Sequence, residues 1–332
     1  MNAWLEDASQ RPPALQLAGE LWREGEIALL FGSTGDGKTA FAVQAANDIA
    51  TGISTTALKV DARGRVLYFD FELSDAQHLS RYSFGGNTFR FSDQLIRVEM
   101  CLDDYMRGAD LVSDWESSLL AEIEAAIIAS GAKYVFIDNL TWLSRETDKG
   151  KFALPLMQRL VSLKKTQKIS IFVMAHTPKR DETRPIVLND LAGSRILANF
   201  ADSVFAIGRS TQDPSTRYIK QVKARSAEAV YTTDNVALFT FEKRESFLGF
   251  QYNNTGSEVD HLRPLSDGAA AERAAQAKAL ADSGLTHREI AERLGVSLST
   301  ANKYVRRANG ANTANEGEQD SDDSVIETEG VI

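Results

Sequence analysis

Phe31-Gly32-Ser33-Thr34-Gly35-Asp36-Gly37-Lys38-Thr39-Ala40 decides how this chain folds. The stretch fills the pattern G-x-x-x-x-G-K-[ST] at every fixed position. Ile27-Ala28-Leu29-Leu30-Phe31 precedes it, an unbroken apolar run of the kind shown by a strand covered on both faces. Ala40 to Ala50 follows, rich in helix formers and closed by Gly52. Strand, glycine loop and helix thus come in the order that aims several backbone N–H groups and a helix N-terminus at phosphate oxygens. The expectation is that Gly32, Ser33, Thr34, Gly35, Asp36, Gly37 and Ala40 line a triphosphate, that Lys38 reaches its β- and γ-phosphates, and that the Thr39 hydroxyl sits on Mg²⁺. The bland alternative is a glycine-rich turn that binds nothing.

Two further apolar strands end in acids. Val66-Leu67-Tyr68-Phe69-Asp70-Phe71-Glu72 completes a first strand–helix–strand crossover and delivers Glu72 to the carboxyl edge of a parallel sheet, where open α/β sheets hold their ligands. A carboxylate there can orient and deprotonate a water that attacks the γ-phosphate; it can equally be a solvated strand-end Glu. Tyr134-Val135-Phe136-Ile137-Asp138 ends on Asp138, placed to hold a water on the Mg²⁺ that Thr39 binds directly, although strand-end Asp residues also cap turns. Between them, Leu95–Met100 reads as a strand and 115–129 as a helix, with apolar residues at Trp115, Leu119, Leu120, Ile123, Ala126 and Ile127. After an amphipathic helix over 150–168, the run Ile169 to Ala175 is a buried strand that delivers His176. An imidazole there could hydrogen-bond the γ-phosphate or the attacking water. The loop from Thr177 to Asp190, with Lys179, Arg180 and Arg184, is long for a simple connection and is either a nucleic-acid contact or a solvated charged loop. A short helix over 191–201 and strands over 202–208, 217–224, 236–242 and 247–252 then extend the sheet. Lys223 and Arg225, far in sequence from the glycine loop, are either surface charges or a finger supplied in trans to a neighbouring subunit's γ-phosphate.

Composition bounds the rest. The chain has 332 residues, 43% of them hydrophobic, enough for one substantial α/β domain and something smaller. No apolar run approaches a membrane span and no basic-then-apolar leader opens the chain, so a cytoplasmic protein without a membrane partner is expected. Cys101 is the single cysteine and the four histidines are scattered, so any metal should arrive with the nucleotide. The net charge of -9 hides a segregation: residues 262–310 hold eight Lys/Arg against five Asp/Glu, while 311–332 hold no Lys/Arg and seven Asp/Glu. The expected organisation is an N-terminal arm over 1–14 with no clear period, an ATPase domain over 15–261, a small helical domain over 262–310 and an acidic, disordered tail over 311–332.

That small domain carries its own signal. Thr286 and Glu289 form a capping box, Gly295 stops the helix they open, and a second helix starts at Ser297 or Leu298. Ile290, Leu294, Val296, Ala301 and Val305 supply a shared core, which makes a helix-turn-helix. On its second helix Ser299, Thr300, Asn302, Lys303, Arg306 and Arg307 face outward in the expectation, the earlier residues toward base edges and the later cations toward DNA phosphates. A bundle used for protein contacts is the alternative. The segment is similar to the DNA-binding domains of resolvase-type recombinases and many bacterial regulators.

Taken in order, the glycine loop, Tyr68-Phe69-Asp70-Phe71-Glu72, Val135-Phe136-Ile137-Asp138, Ala175-His176-Thr177-Pro178-Lys179 and Leu191-Ala192-Gly193-Ser194-Arg195 through Val204 resemble RecA-fold ATPases over about residues 15–255. Within that fold the resemblance is to the hexameric replicative helicases typified by plasmid RepA and to their AAA-type relatives. It implies an α/β fold with a largely parallel central sheet, ATP and Mg²⁺ as ligands, Glu72 as catalytic carboxylate, His176 as nucleotide sensor, and Lys223 and Arg225 as a trans pair, with Arg195 or Arg209 as substitutes where the spacing departs from the family's. A homo-oligomeric ring, commonly of six, and a motor role in replication, transfer or mobile-element biology alongside replication or recombination proteins are implied too. Two other functions fit the same residues: a slow ATP-controlled switch on a DNA-binding protein, and an ATPase that recruits a recombinase or primase without unwinding DNA.

Overall fold

The computed structural model describes residues 1–100, 115–139, 153–191, 194–264, 267–296 and 298–316. The chain divides into two compact units, one of residues 1–180 and 186–261, the other of residues 181–185 and 262–332.

In the first unit the elements run α1 (Asn2–Ser9), β1 (Ile27–Gly32), α2 (Lys38–Thr51), β2 (Val66–Asp70), α3 (Asp75–Arg81), the short hairpin β3 (Ser83–Phe84) and β4 (Asn87–Thr88), β5 (Leu95–Glu99), α4 (Trp115–Ser130), β6 (Tyr134–Asp138), α5 (Ala153–Gln167), β7 (Ser170–His176), α6 (Ser194–Phe200), β8 (Ser203–Arg209), β9 (Thr216–Ala224), β10 (Val236–Arg244) and β11 (Phe247–Gly256). Where the sequence suggested an arm without periodicity, α1 is a helix with no buried residue.

Nine strands form one sheet in the order β11-β10-β9-β8-β1-β7-β6-β2-β5. From β8 to β5 every neighbouring pair is parallel, and β9, β10 and β11 add an antiparallel wing. The strand that follows α2 is therefore not the neighbour of β1: β6 and β7 insert between β1 and β2. This puts the tips of β7, β6 and β2 in a row beside the glycine loop.

The unbroken apolar runs are explained by cover on both faces. Ile27, Leu29 and Phe31 of β1 face a core shared with Leu119, Ile123 and Ile127 of α4 and Leu156, Leu160 and Leu163 of α5. Ala28 and Leu30 face the other core with Phe41, Ala45 and Ile49 of α2. Trp22, fully buried ahead of β1, meets Phe136 and Phe172 edge-on at 5.4 and 5.3 Å and donates its indole N–H to the Glu26 carbonyl. Leu17, Leu21 and Trp22 of the loop over 15–26 are thus part of the core. Among the described residues no helix is long and apolar enough to cross a membrane.

The second unit contains α7 (Asp267–Asp282), α8 (His287–Leu294) and α9 (Leu298–Glu316). Thr286 and Glu289 make the reciprocal capping box, and Gly295 closes α8 at φ 63°. Ala277, Ile290, Ala291, Ala301 and Val305 form the core, with Leu294 and Val296 packed at its edge. The helix α9 continues to Glu316, six residues beyond the boundary read from composition. The acidic residues from Glu318 onward, Ser297 and Cys101 lie outside the described residues, as do the side chains of Arg195 and Ser299.

Candidate nucleotide site

Sheet register collects the site. Gly32 at the end of β1 lies opposite His176 at the end of β7, and Asp138 at the end of β6 lies opposite Asp70 at the end of β2. The loop over 32–37 then has to turn from β1 into α2 in a crowded space. A Cβ on Gly32 would stand 2.7 Å from the Ile207 carbonyl oxygen of β8, and one on Gly37 would stand 2.8 Å from the Phe250 ring. Gly37 also has φ 98°, which side chains resist, so the position is closed to other residues twice over.

Lys38 is buried and donates to the carbonyls of Gly32 at 2.9 Å and Ser33 at 3.0 Å, with its Nζ 3.2 Å from His176 Nδ1. Burial pulls the Lys38 ammonium below its ordinary value, against the attraction of Asp36, Glu72 and Asp138. His176 is lowered too, first by burial and then by the Lys38 charge, with Glu72 opposing. The Asp36 carboxylate accepts the Ser33 N–H at 2.9 Å and folds the loop on itself; burial raises its carboxyl despite Lys38, Arg209 and Arg217 nearby.

Asp138 is fully buried. Tyr68 donates its hydroxyl to Oδ2 at 2.9 Å, while Oδ1 has no hydrogen-bond partner. Burial and the negative charges of Glu72 and Asp70 push the Asp138 carboxyl up to about 7, with Thr39 and Tyr68 pulling the other way. A buried carboxylate oxygen without a donor, beside the Thr39 hydroxyl, fits a Mg²⁺ site: it is an acceptor-only group facing a charge it cannot find in the protein.

Glu72 stands two residues past β2 on a turn that Asp70 holds. Asp70 Oδ1 accepts the backbone N–H groups of Glu72 at 3.0 Å and Leu73 at 2.9 Å, and Oδ2 accepts from Arg97 Nε at 2.9 Å and pairs with His78 Nε2 at 2.7 Å. Burial would raise this carboxyl, but these hydrogen bonds win and hold it at about 2. At the tip, Asn139 Nδ2 donates to Glu72 Oε2 at 2.7 Å and lies 3.0 Å from His176 Nε2.

Lys38, Thr39, Glu72, Asp138 and His176 are therefore brought together. Lys223 and Arg225 are not: the register of β8 and β9 puts them level with the start of β1, at the opposite edge of the sheet. There Lys223 donates to the carbonyls of Ala198 and Ala201, and Arg225 to that of Asn199 at 2.6 Å, all at the carboxyl end of α6. The cations on the glycine loop of the same chain are Arg209, which donates to the Gly35 carbonyl at 2.9 Å, and Arg217, which donates to the Asp36 carbonyl at 3.2 Å and lies over the Phe241 ring at 5.1 Å. Sequence reading missed Arg217, Phe241, Phe250 and the supporting role of Asp70. Only Asp70 left a local trace, a side chain able to bind the N–H two residues on.

In the helical unit Lys303, Arg306 and Arg307 are exposed and share one face of α9 at i, i+3 and i+4. Thr300 and Asn302 are half-buried, and Asn302 Oδ1 is buried without a hydrogen-bond partner.

The AAA domain family model matches residues 1–182, and a homeodomain-like domain model matches residues 267–317. Comparison with curated proteins gives no match. Among solved structures the chain aligns with a KaiC-like protein, PH0186, from the hyperthermophilic archaeon Pyrococcus horikoshii OT3. That alignment covers 69% of this chain and 90% of the other, at 15% identity and a TM-score of 0.46.

Proposed function

The chain belongs to the AAA domain family, and from that premise we propose that it is a DNA-associated ATPase in which ATP hydrolysis at the β1 edge works together with DNA binding by the C-terminal helices. The observation that carries the reading is the convergence of Lys38 at the start of α2, Asp138 at the end of β6 and Glu72 just past β2 onto one sheet edge. Lys38 and the N–H groups of the loop would grip the β- and γ-phosphates. Glu72, held by Asp70 and Asn139, would take the proton of the attacking water. Thr39 and the unpartnered Oδ1 of Asp138 would hold Mg²⁺, which when bound neutralises charge on the phosphate oxygens. The neutral His176 imidazole favoured by its surroundings would report the γ-phosphate to the loop beyond β7.

A ring of subunits would bring a neighbour's Lys223, Arg225 or Arg209 to the γ-phosphate; the first two do not reach their own glycine loop, so any contact of theirs with a γ-phosphate would be in trans. Unwinding of DNA, as in the hexameric helicases, is the stronger form of this reading, and a slow switch on DNA binding is the weaker form. Turnover measured without DNA, with single strands and with duplex tests it: DNA-stimulated hydrolysis that disappears in Lys38→Ala and Glu72→Gln is expected, and a wild-type chain that neither binds nor hydrolyses ATP overturns it. ATP-dependent strand displacement on a forked duplex separates motor from switch.

A further inference from the structure

Asn139 does something the proposed chemistry leaves unexplained. Its amide nitrogen bonds Glu72 Oε2 at 2.7 Å and His176 Nε2 at 3.0 Å, and it is fully buried. Glu72 and His176 are 3.9 Å apart, beyond a hydrogen bond, so the shared nitrogen is what joins them. One hydrogen of the NH₂ group goes to Glu72, and the other reaches His176 Nε2 in the tautomer that carries the imidazole proton on Nδ1, 3.2 Å from Lys38 Nζ. Turning the amide over would set its oxygen against the Glu72 carboxylate, two acceptors at 2.7 Å, so the charge on Glu72 fixes the amide as drawn. The three residues sit beyond three adjacent strands: Glu72 past β2, Asn139 past β6, His176 at the tip of β7.

We propose that Asn139 is a positioning residue that locks the Glu72 carboxylate to the His176 imidazole, so that a shift of the β7 tip moves the carboxylate that acts on the attacking water. Glu72 needs such a lock. Its backbone is pinned by Asp70, but its side chain is 30% exposed and has free rotors beyond Cβ. An error of about 1 Å in a reacting group is enough to lose on the order of a hundredfold in rate. The same lock gives the loop over 177–190 a route to the reaction: whatever displaces that loop pulls on His176, and through Asn139 on Glu72. This inference rests on Glu72 being the group that activates water.

The test is steady-state ATP turnover of full-length Asn139→Ala, Asn139→Asp and Asn139→Ser, with nucleotide affinity measured by calorimetry on the same preparations. Asn139→Ala is expected to lower kcat at least tenfold with KM and nucleotide affinity within threefold. Asn139→Asp, which aims an acceptor at Glu72, should be worse than Ala, and Asn139→Ser, which keeps one short donor, better. In an Asn139→Ala background His176→Ala should cost a smaller fold-loss than it does in the wild-type chain, because the part of its effect that runs through Asn139 is already gone. Losses that multiply, a kcat within twofold of wild type, or equal effects on kcat and affinity each overturn the proposal. Should Asn139→Ala fail to fold, the order of Ser against Asp decides. A wild-type chain without turnover sinks the proposed function and this inference together, whereas normal turnover in Asn139→Ala sinks this inference alone.

Discussion

Tyr68 donates its hydroxyl to Oδ2 of Asp138 at 2.9 Å, while Oδ1 of the same buried carboxylate has no hydrogen-bond partner of ordinary geometry. The carboxyl titrates at about 7, against an ordinary value of 3.8, mainly because burial penalises its charge. A raised folded value means that the folded state holds the proton more tightly than the unfolded one. Stability is then fullest below pH 4, falls as pH rises from about 4 to 7, and stays at the lower level above that. By linkage the cost at pH 8 reaches up to about 4 kcal/mol. Asp138→Asn should therefore unfold at higher denaturant than wild type at pH 8, with the gap narrowing at pH 5 and closing by about pH 4, while ATP turnover is lost. Equal midpoints at both pH values would show that the charge is not buried without compensation.

Asp70 is the opposite case on the neighbouring strand. Its carboxyl is held at about 2 by His78, the Leu73 N–H, Arg97 and the Glu72 N–H, which together outweigh burial. A depressed folded value adds stability that is fully present above about pH 4 and is lost as pH falls through about 2, worth about 2 kcal/mol. Asp70→Asn keeps the shape but cannot accept from all four donors, so it should cost roughly 2 kcal/mol at pH 7 and lower kcat by loosening the turn under Glu72. Equilibrium unfolding from pH 2 to 7, paired with turnover, checks both halves; a variant as active as wild type would separate the turn from catalysis.

How much of this was legible beforehand depends on the distance over which each feature is encoded. The glycine loop, its strand and its helix are written in one run of residues, and so is the capping box at Thr286. Glu72, Asp138 and His176 each end an apolar run, so their edge of the sheet follows from pattern alone. Their mutual contacts do not, because these depend on β6 and β7 inserting between β1 and β2 and on the exact register of strands far apart in sequence. Asn139 could be seen only as the neighbour of Asp138. Arg217 and Phe250 reach the loop from the antiparallel wing, whose register no local pattern specifies. Lys223 and Arg225 lie on an expected strand, yet what they touch is the end of α6, which sequence order does not reveal.

Gly37 yields a sharper test of the loop. With φ 98° and a substituted Cβ only 2.8 Å from the Phe250 ring, Gly37→Ala should weaken ATP binding at least tenfold, the backbone strain alone costing about 1–3 kcal/mol. Phe250→Ala would remove the clash but leave the dihedral, so the double variant should recover little. Calorimetric titration of nucleotide into each chain measures this. Full recovery in the double variant would mean that steric contact, and not backbone conformation, reserves the position for glycine.

The exposed face of α9 predicts how DNA binding responds to salt. Lys303, Arg306 and Arg307 share that face, and a cation that neutralises one phosphate contributes about 0.9 to the slope of log affinity against log salt. Replacing any one of them by Ala should flatten that slope by about 1 and weaken binding to all duplexes alike, since phosphate contacts carry no sequence information. Asn302 should behave differently. Its carboxamide oxygen is buried in the helical unit, so Asn302→Ala should leave the slope intact and act, if at all, through the stability of α9. Fluorescence anisotropy of full-length chains on one duplex, from roughly 50 to 200 mM salt, reads both quantities. An unchanged slope in the Lys303, Arg306 and Arg307 variants would move the DNA contact off this helix, and the unit would then be a docking module for protein.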